Sequence, residues 1–218
     1  MPTFGHRLSS QHLSSRMRRF LMAYRFVQVD SSELPRYLPP ILGLVEAERA
    51  RLGGTIVPQI PEFYGRYQGA GGATVVALDG EELVGFGLLA LPERLNAIWS
   101  PHIARLGLDP RRSGGLVQCL VDPGHRRRGL GDALVAARVA ASCEHGLQGL
   151  FATVAPENRP MLRLMERWGF QVIEVATVYE EQVRRVLMHR ASGSERPSPG
   201  RGAQAPADPD RTPQAQPA

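Results

Sequence analysis

A short basic segment with two glycines is the feature of this sequence best suited to chemistry. Residues 120–131 read LVDPGHRRRGLG, with a strand-like apolar stretch before the arginines and a helix-like pattern after them. The first backbone N–H groups of a helix have no intrahelical partner and carry partial positive charge from the helix dipole. Gly129 and Gly131 lack Cβ atoms, so the backbone can come close to a bulky pyrophosphate. We therefore predict an anion site for phosphate, to which three arginines add charge.

The basic residues of the chain exclude two classes of mechanism. Of the 218 residues, 26 are basic, and every one of these is arginine. Without lysine the protein cannot form its own Schiff base, and it lacks the lysine that an ordinary P-loop NTPase needs. The formal charge of +5 comes from the first 29 residues, which hold five arginines and no acidic residue. Residues 30–190 hold 18 arginines and 18 acidic residues, so their charges balance. This neutral body argues against specific nucleic-acid binding.

The pattern of apolar residues predicts the elements that position the basic segment. Apolar residues at helical spacing predict a helix over residues 129–145 and a second one over 158–168. An earlier helix is predicted over residues 33–52, which Pro39 and Pro40 must break or kink. Strands are predicted at residues 24–29, 73–78, 83–91, within 98–108, and at 116–121, 150–154, 170–178 and 183–189.

Both ends of the chain differ in composition from this central part. Residues 1–23 are a basic, serine-rich leader, and residues 191–218 are rich in Pro, Ala, Gly and Gln without a large apolar side chain. Such segments cannot offset the entropy cost of ordering, so we expect both to be disordered around one domain at residues 24–190. Two cysteines are too few for a disulfide framework and lack metal-type spacing, and no apolar run reaches membrane-spanning length. We therefore expect a cytoplasmic protein with neither a metal centre nor a transmembrane segment.

Four stretches resemble the GNAT superfamily of N-acetyltransferases. Arg126, Gly129 and Gly131 fill the fixed positions of its pyrophosphate-loop pattern, Q/R-x-x-G-x-G/A, and Val121-x-Pro123 matches the V-x-P before it. Residues 154–158 (VAPEN) and 164–170 (LMERWGF) are similar to the family's V-x-x-x-N and L-Y-x-x-x-G-F, and residues 83–86 (LVGF) are similar to its second-strand signature. The resemblance extends over roughly residues 73–190 in the family's order. It implies an α/β (α+β), mixed, mostly antiparallel sheet of six to seven strands, flanked by helices, with a splayed central strand pair.

The resemblance also implies a cofactor, acetyl-CoA, and the residues that hold it. The pantetheine arm would lie between the splayed strands against backbone groups of one strand, and amides of the loop would hold the pyrophosphate. A neutral amine would attack the thioester directly, and a backbone N–H would stabilise the oxyanion. The cofactor-binding residues implied in this way are Leu120, Val121, Arg126, Arg127, Arg128, Gly129, Leu130, Gly131 and Asn158.

The catalytic residues depart from the family's pattern. Met165 stands where many members have a general-acid tyrosine, and Gly115 aligns near the strand glutamate that is the base in some members. A thioether cannot donate a proton. Replacement acids or bases are Asp122, Glu93, His102 and Tyr179, although each could equally be a solvated or structurally paired residue, and a water relay is an alternative. The acceptor could contact Glu62, Tyr64, Tyr67, Glu180 and Glu181, which are predicted to lie in loops.

Two functions follow from these observations. The first is transfer of an acetyl group from acetyl-CoA to a primary amine of a small molecule, protein or peptide, by a monomer or homodimer without specific nucleic-acid binding. The second is a non-catalytic acyl-CoA-binding sensor or regulatory module, which the missing tyrosine and glutamate favour.

Overall fold

The computed structural model describes residues 23–52, 60–179 and 182–191. Apart from its last residue, the predicted leader lies outside these ranges. So do the predicted tail beyond its first residue and the two loop acids Glu180 and Glu181. None of the helices in the described ranges has the length and apolarity that a membrane crossing requires.

The described chain contains both strands and helices, with short 3-10 turns between several of them. The elements are β1 (Tyr24–Val29), α1 (Leu34–Leu52), α2 (Pro61–Gly65), β2 (Gly72–Asp79), β3 (Glu82–Ala90), α3 (Ser100–Arg105), β4 (Ser113–Val121), α4 (Leu130–Glu144), β5 (Gly149–Val154), α5 (Arg159–Arg167), β6 (Gln171–Val178) and β7 (Val183–Ala191).

The seven strands form one sheet in the order β1-β2-β3-β4-β5-β7-β6. Neighbouring strands are antiparallel except for β4 and β5, which run parallel because the connection through α4 crosses over between them. The prediction of a mixed, mostly antiparallel sheet of six to seven strands flanked by helices is therefore confirmed.

Helices cover both faces of this sheet. On one face, α1 packs against Val76 and Phe86; on the other, α4 packs against Val75 and Val84. Successive side chains of a strand point to opposite faces, so the apolar runs of β2 and β3 supply a core to each helix. The helix α5 joins α4 on the second face, where Met165 and Val135 belong to one buried cluster. Any site between β4 and β5 thus lies between two helical layers.

Three predicted elements differ from the structure. The strand expected within residues 98–108 is wrong, because a 3-10 turn and α3 occupy this segment. Asn96 accepts a hydrogen bond from Ile98 N at 2.9 Å, and the buried Trp99 and Ile103 lie four residues apart, a spacing typical of a helix. A break in the first helix is also wrong, because α1 continues through its two prolines.

The third difference concerns the start of β4, which begins three residues before the predicted strand at 116–121. Gly114 and Gly115 precede the predicted strand, but both belong to β4 and are buried in the sheet. A Cβ at Gly114 would lie 2.4 Å from Leu147 Cδ1 and 2.8 Å from the Ala90 carbonyl oxygen. These glycines therefore allow close packing inside the strand rather than a turn.

Candidate active site

The strands β4 and β5 separate after a short paired stretch. Their pairing runs from Ser113↔Gly149 to Leu116↔Ala152 and then stops, although both strands continue. On the other side of β4, Gly87 pairs with Cys119 and Leu89 with Leu116, so two residues of β4 oppose the single residue Leu88. This β-bulge bends β4 where it leaves β5, as bulges bend the strand that carries them. The predicted splayed pair is therefore confirmed.

A cleft of about 370 Å³ occupies the gap between the two strands. Its walls include Val117–Leu120 of β4 and Ala152–Val154 of β5. Side chains from the α1 face line it, among them Glu48, Leu52, Phe63 and Tyr67, and so do side chains of α4 and α5 from the opposite face, among them Arg138, Met161 and Met165. The cleft therefore connects the two faces of the sheet through the gap.

The predicted anion site lies where β4 passes into α4. The Asp122 carboxylate accepts from Gly124 N at 2.8 Å and holds a 3-10 turn, after which Arg127 and Gly129 adopt positive φ values of 62° and 86°. Among the described residues, none accepts a hydrogen bond from the backbone N–H of Gly129, Leu130 or Gly131. These N–H groups at the start of a 15-residue helix can bind an anion.

The three arginines of this loop point in different directions. Arg126 donates from Nε to the Val121 carbonyl oxygen at 3.0 Å and from a terminal nitrogen to Glu48 at 2.5 Å. Arg128 donates to the Tyr24 hydroxyl at 3.0 Å. Arg127 is exposed, and its guanidinium has no partner among the described residues. Arg126 therefore neutralises a buried carboxylate, whereas the charge of Arg127 has no partner in the described ranges.

The partner of Arg126 is a residue that sequence reasoning missed. Glu48 is only 4% exposed on α1, and its carboxylate also accepts two hydrogen bonds from Arg51, at 2.6 and 2.9 Å. The hydrogen bonds from Arg51, followed by those from Arg126, lower the pKa of Glu48 from its ordinary value, against the effect of burial. Glu48 thus joins α1 to the loop between β4 and α4. The spacing of Glu48 and Arg51 was visible in the sequence, but the contact 78 residues away was not.

We expect Glu48→Gln to lower the free energy of unfolding at pH 7 by about 1–3 kcal/mol, because Arg126 loses its buried partner while remaining partly solvated. A lowered carboxyl pKa stabilises the fold above the ordinary pKa of 4.5, and this contribution is lost as the pH falls through the lowered value. The difference between wild type and variant should therefore narrow below pH 4.5. Urea unfolding of wild type and Glu48→Gln at a series of pH values measures this difference in unfolding free energy.

The matched control for this prediction is Glu46→Gln on the same helix. Glu46 pairs with Arg49 at 2.9 Å, but its side chain is 72% exposed, so we expect a loss of less than about 0.5 kcal/mol. Equal losses of unfolding free energy in the two variants would show that the Glu48 carboxylate does not stabilise the fold through Arg126. So would a Glu48→Gln loss that does not change with pH.

The helix α5 borders the cleft on its second face. Asn158 lines the cleft and caps α5, because its side-chain oxygen accepts from Met161 N at 3.2 Å. Trp168, just after α5, donates from Nε1 to Asp132 on α4 at 3.1 Å, which holds the two helices together. Met165 is buried and lines the cleft as well. The family's usual tyrosine position therefore does face this cleft, but here it presents a thioether.

Tyr179 is the predicted acid–base candidate that the structure brings to the cleft. It lines the cleft and shares a hydrogen bond of 2.9 Å with the Thr153 hydroxyl on β5. The other three candidates do not line the cleft. Asp122 holds the turn before α4, Glu93 is exposed on a 3-10 turn, and His102 is buried beside Glu174, with Nε2 3.3 Å from its carboxylate.

The aromatic residues predicted to contact an acceptor are only partly at the cleft. Tyr67 lines it together with Phe63, and their rings pack edge to face at 5.0 Å. Tyr64 is fully buried beneath them, where its hydroxyl donates to Gln118 at 3.2 Å and burial raises its pKa to about 12. Glu62 is exposed and does not line the cleft. The cleft thus has an aromatic wall on the α1 face.

The charged residue Arg138 lies at the cleft and was also missed. It is on α4 and only 2% exposed. A signal was present in the sequence: position 138 follows Leu130 and Leu134 at intervals of four and so falls on the stripe that faces the sheet. Among the described residues, no group of three or more His, Cys, Asp or Glu side chains is arranged to bind a metal ion.

Sequence comparison assigns most of the domain to one family. The Acetyltransferase (GNAT) family matches residues 47–170, which is more than half of the chain. No curated protein matches the sequence significantly.

Solved structures match the fold over most of the domain. The ribosomal-protein-S18-alanine N-acetyltransferase from Escherichia coli aligns with a TM-score of 0.55 and 15% identity, covering 77% of this chain and 93% of its own. The yncA protein from Salmonella typhimurium, solved with its cofactor acetyl-CoA, aligns with a TM-score of 0.57 and 14% identity. The alignment covers 77% of this chain and 93% of the yncA chain. A chain of a NatC complex bound to Gag peptide and CoA aligns with a TM-score of 0.58 and 15% identity. The alignment covers 78% of this chain and 99% of the matched chain. At these identities the likeness shows the fold.

Proposed function

This chain belongs to the GNAT acetyltransferase family, and from that premise we propose that it transfers the acetyl group of acetyl-CoA to a primary amine. One observation carries the proposal: the helix start with unpaired N–H groups and the open gap between β4 and β5 lie at the two ends of the same stretch of β4. This arrangement suits a ligand with a diphosphate at one end and a narrow arm leading to the reacting carbon. The domain proposed for this activity spans residues 24–190.

We propose that the loop and β4 hold the donor mainly through backbone groups. The N–H groups of Gly129, Leu130 and Gly131 would bind the pyrophosphate, with the free charge of Arg127 beside them. The pantetheine arm would follow Leu120 and Val121, because within the described ranges β4 has no strand partner on the β5 side beyond Leu116. The yncA protein was solved with acetyl-CoA, which supports this class of donor.

The reaction proposed for this cleft is a direct transfer. The amine nitrogen attacks the thioester carbon, a backbone N–H on the unpaired edge of β4 stabilises the oxyanion, and the carbon–sulfur bond breaks. The leaving thiol has a free pKa of about 8.5, like that of cysteine, so it needs only modest help from an acid. Tyr179 is the proposed acid, because its phenol lines the cleft and is oriented by Thr153.

The acceptor is proposed to enter from the α1 face. Phe63 and Tyr67 line that end of the cleft, and aromatic faces attract a protonated amine before it loses its proton. The carboxylate of Glu48 lines the same end, but its charge is already paired with Arg51 and Arg126. Both a small-molecule amine and a peptide amine fit this chemistry; the NatC neighbour was solved with a peptide.

The non-catalytic alternative is favoured by one specific feature. Met165 and Gly115 line the cleft, so the two positions where family members carry an acid or a base present no titratable group. A module that binds acyl-CoA without transferring the acyl group would need neither residue. In such a module the cleft would bind the donor and no step would follow.

One pair of measurements tests both functions. Acetyl-CoA is titrated into the full chain by calorimetry, and a panel of small amines and peptides is then screened with detection of the released CoA thiol. Binding together with thiol release supports the transferase, whereas binding without release from any amine favours the sensor. Absence of binding would contradict both functions.

A further inference from the structure

A buried arginine without an acidic partner faces the donor side of the cleft. Arg138 is 2% exposed, lines the cleft, and forms no ion pair with any carboxylate in the described ranges. Its Nε donates to the Leu134 carbonyl oxygen at 3.0 Å, and one terminal nitrogen donates to that of Leu88 at 3.3 Å. A guanidinium has five N–H groups, so most of its donors are unused.

The surrounding chain is shaped to hold this side chain in place. A Cβ at Gly87 would lie 2.7 Å from Arg138 Nε and 2.8 Å from its Cζ, so any side chain at position 87 would displace the guanidinium. The carbonyl that it contacts belongs to Leu88, the residue opposite the bulge in β4. Arg138 is therefore fixed against the point where the gap opens.

Burial of this charge is costly for the protein. Burial lowers the pKa of Arg138, and among nearby groups only the Cys119 thiol acts in the opposite direction. A neutral thiol does not compensate a guanidinium, and a charge taken out of water needs an oppositely charged or hydrogen-bonding partner to offset the cost. The most direct compensation is an anion that enters the cleft with the substrate.

The position of Arg138 decides which part of a substrate this anion belongs to. The residue lies eight positions beyond Leu130 on α4, which is about 12 Å along the helix, too far for a pyrophosphate bound at the helix start. It also lies on the α4 face of the sheet, opposite the α1 face that carries Phe63 and Tyr67. Its neighbour Cys119 belongs to the part of β4 that follows the bulge, where the acyl group would lie.

We propose that Arg138 binds a carboxylate at the far end of the transferred acyl group, so that the cleft takes CoA monothioesters of short dicarboxylic acids and binds them more tightly than acetyl-CoA. This rests on the proposed function and specifies its donor. The amine nitrogen forms a bond to the thioester carbon as the carbon–sulfur bond breaks. The sulfur takes up the proton that the amine loses, and the products are an amide with a free terminal carboxylate and CoA.

Matched pairs of thioesters test the proposal on the wild-type chain. Succinyl-CoA is compared with butyryl-CoA, and malonyl-CoA with propionyl-CoA, by calorimetry; each pair has the same chain length and differs in the terminal carboxylate. In at least one pair the carboxylated thioester should bind about tenfold more tightly or better, the effect of a hydrogen-bonded charge pair. If neither carboxylated thioester binds more tightly than its methyl-ended partner, the proposal is wrong.

Variants then assign the preference to Arg138. Arg138→Met should remove the preference while CoA itself binds within about twofold of wild type, and Arg138→Lys should retain part of it. Gly87→Ala, which displaces the guanidinium without removing it, should also reduce the preference. A preference that survives in folded Arg138→Met would overturn the assignment. Should Arg138→Met fail to fold, Gly87→Ala decides in the same way.

The same titrations separate this inference from the proposed function. If acetyl-CoA and CoA bind but the carboxylated thioesters have no advantage, the donor specificity is refuted and the transferase proposal stands. If no CoA compound binds at all, the proposed function itself fails.

Discussion

Gly129→Glu should weaken CoA binding at least about 100-fold, as measured by calorimetry. Gly129 precedes α4 with a φ of 86°, and the N–H groups around it have no acceptor among the described residues. A glutamate here places a carboxylate where the helix dipole attracts the pyrophosphate, so the substituted side chain competes with the ligand and repels it. The side chain also occupies the space that a glycine leaves for the diphosphate.

The control for this variant lies at the other end of the same helix. Gly146 follows α4 with a φ of 64°, and a Cβ there would have open space. Gly146→Glu therefore introduces the same charge and a similar left-handed strain away from the loop, and its CoA affinity should stay within about threefold of wild type. Unchanged CoA binding in folded Gly129→Glu would refute the placement of the phosphate site.

Tyr179→Phe should lower kcat about 100-fold, the scale of a lost general acid, with little change in acetyl-CoA affinity. The variant keeps the aromatic ring and removes only the hydroxyl that contacts Thr153 in the cleft. The departing thiolate would then take its proton from water. Steady-state kinetics with an amine found in the acceptor screen separate kcat from KM, and a separate titration gives the donor affinity.

The control for Tyr179→Phe is Tyr37→Phe, since Tyr37 is a buried residue of α1 and does not line the cleft. Its kcat should equal that of wild type. A kcat for Tyr179→Phe within about twofold of wild type would exclude the phenol as the acid and favour a water relay. A loss in both variants would instead indicate a general effect on the fold.

Features that depend on neighbours in sequence were predicted well. The turn into α4, the start of α5 at Asn158 and the strand β1 lie where the residue pattern places them. Each is specified within a few residues, by glycines, a capping side chain or an apolar alternation. The strand predicted after Asn96 is wrong because apolar residues there suit a strand as well as a short helix, and the Asn96 side chain caps a 3-10 turn that leads into α3.

Features that depend on distant residues were not predictable. The partner of Arg126 is 78 residues away on α1, and Arg138 meets β3 50 residues away. Local spacing gives no sign of the Arg126 contact. The helical spacing places Arg138 on the face toward the sheet, but it does not show that Arg138 meets β3 at Leu88, beside the bulge in β4. The same applies to Tyr179, which meets Thr153 across the sheet.

The sequence by itself determined that a helix start with unpaired N–H groups follows β4, because glycine conformation and helix initiation are local properties of about a dozen residues. It also determined the family, through motifs that lie within such short stretches. Only the tertiary structure decided which arginine is free and which candidate acid reaches the cleft. It also showed that a buried guanidinium lies beside the gap, because strand register and helix packing select those contacts from the whole chain.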